Sequence, residues 1–186
     1  PRLQRADREA MGQRIADGSE PDRAFILRIV LATAIASLGL LQNSAAVVIG
    51  GMLVAPLMTP MVGTGLALVQ GNLHLARRAL IAVGLGFATA LCVGLICGLV
   101  VQGLPIGAEL LSRTQPTLLD LCVAFLSGAA GAFAYARTSS GGHEEVLPGV
   151  AVAAALVPPV ATCGILLSRG LWTASFGASV LFSTNL

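Results

Sequence analysis

Asp120 is the one acidic residue, of nine, that falls inside a long apolar stretch of this chain. A carboxylate in such surroundings is costly, and by default it marks an ion or solute path with a partner. The opposing reading is a helix start. Pro116 suits a first turn, and an acid there meets the positive end of the helix dipole. Arg113 is the candidate partner if the segment before Pro116 folds back. The other polar groups within apolar stretches are sparse. Asn43, Thr59, Ser127 and Thr162 join Asp120, Pro56, Pro60, Pro158 and Pro159 as a candidate substrate or ion pathway. Proline belongs in that set because it removes a backbone donor and clashes with the carbonyl four residues earlier. In lipid the freed carbonyl must find another partner. Thr59 and Thr162 lie beside the prolines, and their hydroxyls either bond such carbonyls or line a cavity. Asn43 and Ser44 either cap the helix that follows or face the path.

These residues do not make an enzyme. A protease within the membrane needs paired Asp, Ser with His, or a zinc-binding His pair inside the spans, and none of these patterns occurs. His74 and His143 fall in polar loops. Cys92, Cys97, Cys122 and Cys163 sit in apolar runs without zinc or disulfide spacing, and read as small apolar side chains. No catalytic residue, metal or cofactor is expected.

The elements that must position the pathway residues are membrane spans. The chain is 55% hydrophobic and only 11% charged. Ile29–Gly71 and Ala79–Ala108 carry no charge at all, and each exceeds the roughly 20 residues that cross a bilayer core. The expected fold class is all-α: a polytopic transmembrane helical bundle of about six spans. They run about Ala24–Gln42, Ser44–Gln70, Ala79–Val101, Thr117–Ala136, Val146–Leu167, and from Leu171 onward. Pro56 and Pro60 interrupt the second; Pro158 and Pro159 interrupt the fifth. Residues 1–23 form a cytoplasmic helix or linker, 24–102 a first transmembrane repeat, 103–116 an outer connector, and 117–186 a second repeat expected to continue past Leu186. With six crossings and a cytoplasmic N-terminus, eight arginines lie inside (Arg2, Arg5, Arg8, Arg14, Arg23, Arg77, Arg78, Arg137), against Arg113 and Arg169 outside. That is the positive-inside pattern of a multi-pass inner (plasma) membrane protein. The small net charge gives no reason to expect nucleic acid.

The word "repeat" rests on spacing. Gly50 is followed by Pro60, Gly65 and Gly71; Gly149 is followed by Pro159, Gly164 and Gly170 at the same offsets of ten, five and six. Three spans per half is an odd number, so the halves enter from opposite faces. Inverted repeats with paired proline-broken helices are the architecture of many secondary transporters, with the site near the midplane.

Small residues also recur every fourth position. Ala82, Gly86, Ala90, Gly94 and Gly98 mark the third span; Ala124, Gly128, Ala132 and Ala136 mark the fourth. Such stripes let helix backbones approach closely, within the chain or between copies, and they raise the expectation of a homo-oligomer.

Three segments carry a family resemblance: NSAAVVIGGMLVAPLMTP at Asn43–Pro60, RTQPTLLDL at Arg113–Leu121 and LPGVAVAAALVPP at Leu147–Pro159. With them the chain resembles the prokaryotic membrane family catalogued as domain of unknown function 389. That resemblance implies a multi-span prokaryotic membrane protein and supplies no substrate. The functional expectation comes from the repeat: a transporter or channel, embedded in the lipid bilayer, moving a small polar solute or ion. The alternative is a non-transporting scaffold or lipid-binding sensor module. A polar cavity between the proline breaks favours the first and a dry core the second.

Overall fold

The computed structural model describes residues 22–138 and 146–185, with side chains for all of these except 58, 62, 131, 132, 134–138, 146–155 and 185. The expected N-terminal helix or linker, but for its last two residues, the loop holding His143, and the side chain of Ala132 lie outside the described residues. Within them all regular structure is helical: α1 (Arg23–Leu41), α2 (Ala45–Val54), α3 (Met58–Gln70), α4 (Leu73–Val100), α5 (Ala108–Leu111), α6 (Leu118–Thr138), α7 (Val146–Ser168) and α8 (Trp172–Asn185).

Local chemistry sets the boundaries. Asp22 starts α1 by accepting a hydrogen bond from the Phe25 N–H at 2.6 Å, and Asn72 starts α4 by accepting from Leu75 N at 3.1 Å. Each satisfies a donor that the first turn leaves orphaned. α4 therefore begins well before its uncharged stretch, carrying Arg77 and Arg78 on its first turns.

The second expected span is two helices, α2 and α3, bent by 65° where Ala55–Leu57 separates them. The two prolines act differently. Pro56 forces the break, because the residue before a proline is pushed out of helical geometry, and Ala55 is extended at φ −73° and ψ 123°. Pro60 lies in the first turn of α3, where a missing N–H costs nothing.

The fifth span departs from expectation. Pro158 and Pro159 do not interrupt it: α7 runs unbroken from Val146 to Ser168. Every residue from Leu156 to Leu166 is buried, so the surrounding packing keeps the helix continuous through the prolines. The carbonyls of Ala154 and Ala155 still lose their helical donors.

The paired glycines beyond each segment share one geometry. Gly71 and Gly170 are left-handed, at φ +64° and +71°. Asn72 N–H donates to Ala67 O and Leu171 N–H to Leu166 O, at 3.0 Å in both. This is the helix stop for which glycine has no Cβ penalty.

α7 is the centre of the bundle. The tightest approach is to α4, where a Cβ built on Gly164 would lie 2.5 Å from Leu91 O and one on Gly94 would lie 2.7 Å from Ala161 O. The whole α4 stripe, Ala82, Gly86, Ala90, Gly94 and Gly98, is buried in this chain. The α6 stripe differs: Ala124 is half-buried, Gly128 is exposed and a Cβ there would meet nothing within 4 Å.

α1 and α4 are long and apolar enough to cross a bilayer, and α2 with α3 makes a third span if the bent pair is one crossing. The apolar stretches Leu118–Ala130 and Leu156–Ser168 are shorter. The outer faces are apolar too: Leu27, Leu31, Leu53, Ile96, Leu119, Val123, Phe125 and Phe133 are among many large exposed side chains. A surface of that kind is stable against lipid and unstable against water. The helices are those of a membrane protein.

Candidate functional site

The prolines meet in space through their neighbours. Leu57, beside Pro56, packs in one buried cluster with Leu156, Val157 and Val160, which flank Pro158 and Pro159. Pro60, Pro158, Pro159 and Thr162 are buried; Pro56 and Thr59 are half-buried. Next to the break lies a void of about 10 Å³, walled by Leu57, Met61, Gly86, Val157, Val160 and Phe182 among others. Its lining is apolar, so the space offers water too few partners to be held. The Phe87 and Phe182 rings close one side, with centroids 4.9 Å apart.

The remaining pathway candidates lie elsewhere. Asn43 ends the α1–α2 turn in a left-handed conformation, φ 55°. Its Oδ1 accepts a hydrogen bond from Glu109 N–H at 2.8 Å. It thus caps α5, in the connector of residues 103–116, while Ser44 precedes α2 without a side-chain cap bond. Of the two readings for Asn43, a cap on the second span or a place on the path, the capping one is not what its side chain does; it clasps the α1–α2 turn to the connector. Arg169 adds a second clasp by donating to Leu104 O at 2.8 Å.

Asp120 sits in the first turn of α6, where its Oδ2 accepts from Thr117 N–H at 2.7 Å and from Thr117 Oγ1 at 2.6 Å. Thr117 Oγ1 in turn accepts from Asp120 N–H at 3.3 Å. This reciprocal pair is a capping box. Arg113 is not its partner; it pairs with Glu109 at 2.9 Å inside the connector. Geometry alone therefore gives Asp120 a helix-start role. Asp120→Ala is expected to lower stability by about 1 kcal/mol, and Asp120→Asn by less, since one acceptor oxygen survives. Thermal denaturation of the two variants in detergent checks this. Ser127 is half-buried on α6.

Two residues outside the expected pathway set stand out. Thr33 and Ser37 on α1 are fully buried, and their hydroxyls, like that of Thr162, have no hydrogen-bond partner among the described residues. Other hydroxyls in the bundle find backbone carbonyls: Thr64 donates to Pro60 O at 2.9 Å, Ser168 to Ile165 O at 2.7 Å and Ser179 to Ser175 O at 3.1 Å. The available signal was the four-residue spacing of two small polar residues inside an uncharged span, which puts both on one helix face.

The family model described as domain of unknown function DUF389 matches residues 52–186. An uncharacterized protein of Methanocaldococcus jannaschii is 26% identical over 186 residues. The alignment takes in 98% of this chain and 56% of that relative, so the chain spans little more than half the relative's length. No solved structure matches the chain.

Proposed function

The chain belongs to the family described as domain of unknown function DUF389, and from that premise we propose that it is an integral membrane transporter or channel for a small polar solute or ion. The observation that carries the reading is the 65° break at Ala55–Leu57, packed against the long helix that holds Pro158 and Pro159 in its interior. Backbone groups released at membrane depth must be buried in protein or line a path, and paired proline-marked helices of this kind frame the site in many secondary transporters. The path in this reading runs between α2–α3 and α7. The matched left-handed glycines after α3 and α7 support an inverted pair of three-span repeats. The test is flux into liposomes over a panel of small solutes and ions, with empty liposomes as control. No flux above control for any of them would count against transport.

One observation favours a second reading. The space at the break is small and apolar, which suits a closed, non-transporting scaffold or lipid-binding sensor. A transporter caught closed has the same dry core, and flux separates the two.

Six spans with a cytoplasmic N-terminus make a specific prediction. In a background lacking the native cysteines, single cysteines at His74 and Ser140 label from the same, cytoplasmic side of inner-membrane vesicles. Labelling from opposite sides would end the inverted-repeat proposal. Self-association is the companion proposal, through α6. That helix turns Phe125, Leu126 and Phe133 outward and leaves Gly128 uncovered.

A further inference from the structure

Residues 103–114 are folded onto one end of the bundle, and four contacts hold them there. Leu110, on the single turn α5, is 2% exposed and belongs to the buried cluster that holds Val48 and Met52 of α2 and Ile165 and Leu166 of α7. Asn43 Oδ1 accepts from Glu109 N–H at 2.8 Å. Gly107 packs so closely on the same side chain that a Cβ there would lie 2.7 Å from Oδ1. Arg169 donates to Leu104 O at 2.8 Å and to Val101 O at 3.4 Å. At the far end, Thr114 O rests against Gly177 of α8, where no Cβ would fit.

The segment is stiff in one part and loose in the other. From Gly107 to Thr114 it bonds to itself. Leu110 and Leu111 N–H donate to Gly107 O, Ser112 N–H donates to Ala108 O, and Thr114 Oγ1 donates to Leu111 O. Arg113 pairs with Glu109 inside the same part at 2.9 Å. From Gln102 to Ile106, by contrast, no backbone N–H has a hydrogen-bond partner among the described residues. Gly103 lies in that strap at φ +96°, and a Cβ on it would meet nothing within 4 Å. Glycine changes conformation there at little cost. Local opening is drawn from stretches of this kind, poor in backbone bonds and open around them. The place also matters. α2 and α7 are the walls of the path in the transport reading, and Leu110 shares a cluster with both, on the side of the Ala55–Leu57 break toward the α1–α2 turn.

We propose that residues 103–114 are a lid over this end of the path, hinged at Gly103, latched by Asn43 and Arg169, with Leu110 as its plug. The lid rests on the transport reading above and gives it a gate. With the latches made, Leu110 fills the end between α2 and α7. With them broken, α5 lifts as a unit and the end opens, while no membrane-spanning helix has to unwind. An equilibrium of this kind is set by contacts that differ between its two states, and here those are two latching side chains and one buried leucine.

The experiment reads the lid without needing transport. In a background lacking the native cysteines, the thiol introduced by Leu110→Cys is labelled with a polar maleimide in purified, monodisperse protein. Asn43→Gly removes one latch and keeps the left-handed turn; Arg169→Ala removes the other. Together they are expected to raise the labelling rate about tenfold, the effect of the lost hydrogen bonds on a local opening. Should that combination misfold, Asn43→Gly alone is expected to raise it about threefold. An unchanged rate in the folded variants would overturn the lid, as would immediate labelling with both latches intact. The converse variant, Asn43→Cys with Gly107→Cys, locks the lid. A Cβ on Gly107 would lie 2.9 Å from the Asn43 Cβ, and a shift of about 1 Å gives disulfide spacing. A mild oxidant is expected to abolish liposome flux in that variant and a reductant to restore it. Flux unchanged at full disulfide formation would sink the lid and leave transport standing. Latch-dependent labelling with no flux in any liposome would sink the transport reading, and the gating role with it, while the hinged cap remained.

Discussion

Gly164→Leu is expected to leave no folded bundle. A Cβ at Gly164 lies 2.5 Å from Leu91 O and 2.6 Å from Leu95 N, and both are backbone atoms of α4. No rotamer relieves that overlap, so α4 and α7 must part. Their separation would open the buried layer in which Gly94 faces Ala161. Overpacking a core costs about 1–3 kcal/mol where side chains can adjust. With backbone on both sides the loss should reach about 3 kcal/mol or more, enough to unfold a marginal protein. Fluorescence-detected gel filtration in detergent reads the result as loss of the wild-type peak to aggregate. Gly94→Leu should behave alike. Gly128→Leu is the control, because a side chain there meets open space. It should keep the fold, and a change in its mass in detergent would report self-association through α6. A monodisperse, normally expressed Gly164→Leu protein would show that the α4–α7 approach is not as close as described.

The double variant Pro158→Ala/Pro159→Ala is expected to be more stable and less active. Alanine restores two backbone donors, and the carbonyls of Ala154 and Ala155 regain helical partners. Proline inside a helix costs about 3 kcal/mol relative to alanine in a soluble setting. Neighbouring helices absorb part of that cost here, so a gain of about 1–2 kcal/mol is the reasonable expectation, seen as a higher melting temperature. If the released carbonyls serve the path, flux in liposomes falls by about tenfold or more, equivalent to about 1.4 kcal/mol on the barrier. Raised stability with unchanged flux would reduce the prolines to tolerated helix residues and would move the path away from α7. Lowered stability would mean that the prolines are part of the packing.

At the prolines, sequence and structure part company. Pro56 and Pro159 lie in segments matched by spacing, yet one segment is bent by 65° and the other continues. Proline chemistry is local and legible: a donor is lost and the preceding residue is pushed toward extended geometry. Whether the helix then breaks depends on what surrounds it. α7 is enclosed from Leu156 to Leu166, while α2 and α3 flank α1 and α4 and keep exposed faces such as Leu53, Leu68 and Val69. The small-residue stripes teach the same lesson. Both are visible in the sequence, but the α4 stripe is buried within the chain and Gly128 of the α6 stripe faces open space.

The sequence by itself determined the helices, their ends and their medium. Long uncharged runs leave helix as the one open-chain conformation that satisfies every backbone group in lipid. Asp22, Asn72 and the Thr117–Asp120 pair start helices through bonds spanning three residues, and Gly71 and Gly170 end them. All of this is written within a few residues of where it acts. Tertiary structure alone decided which polar groups are spent and which are left over. Asn43 reaches Glu109 across 66 positions, and Arg169 reaches Leu104 across 65. Thr33, Ser37 and Thr162 reach no one. A hydroxyl has the same donor and acceptors anywhere in the chain; only burial in the folded bundle decides whether it meets a partner.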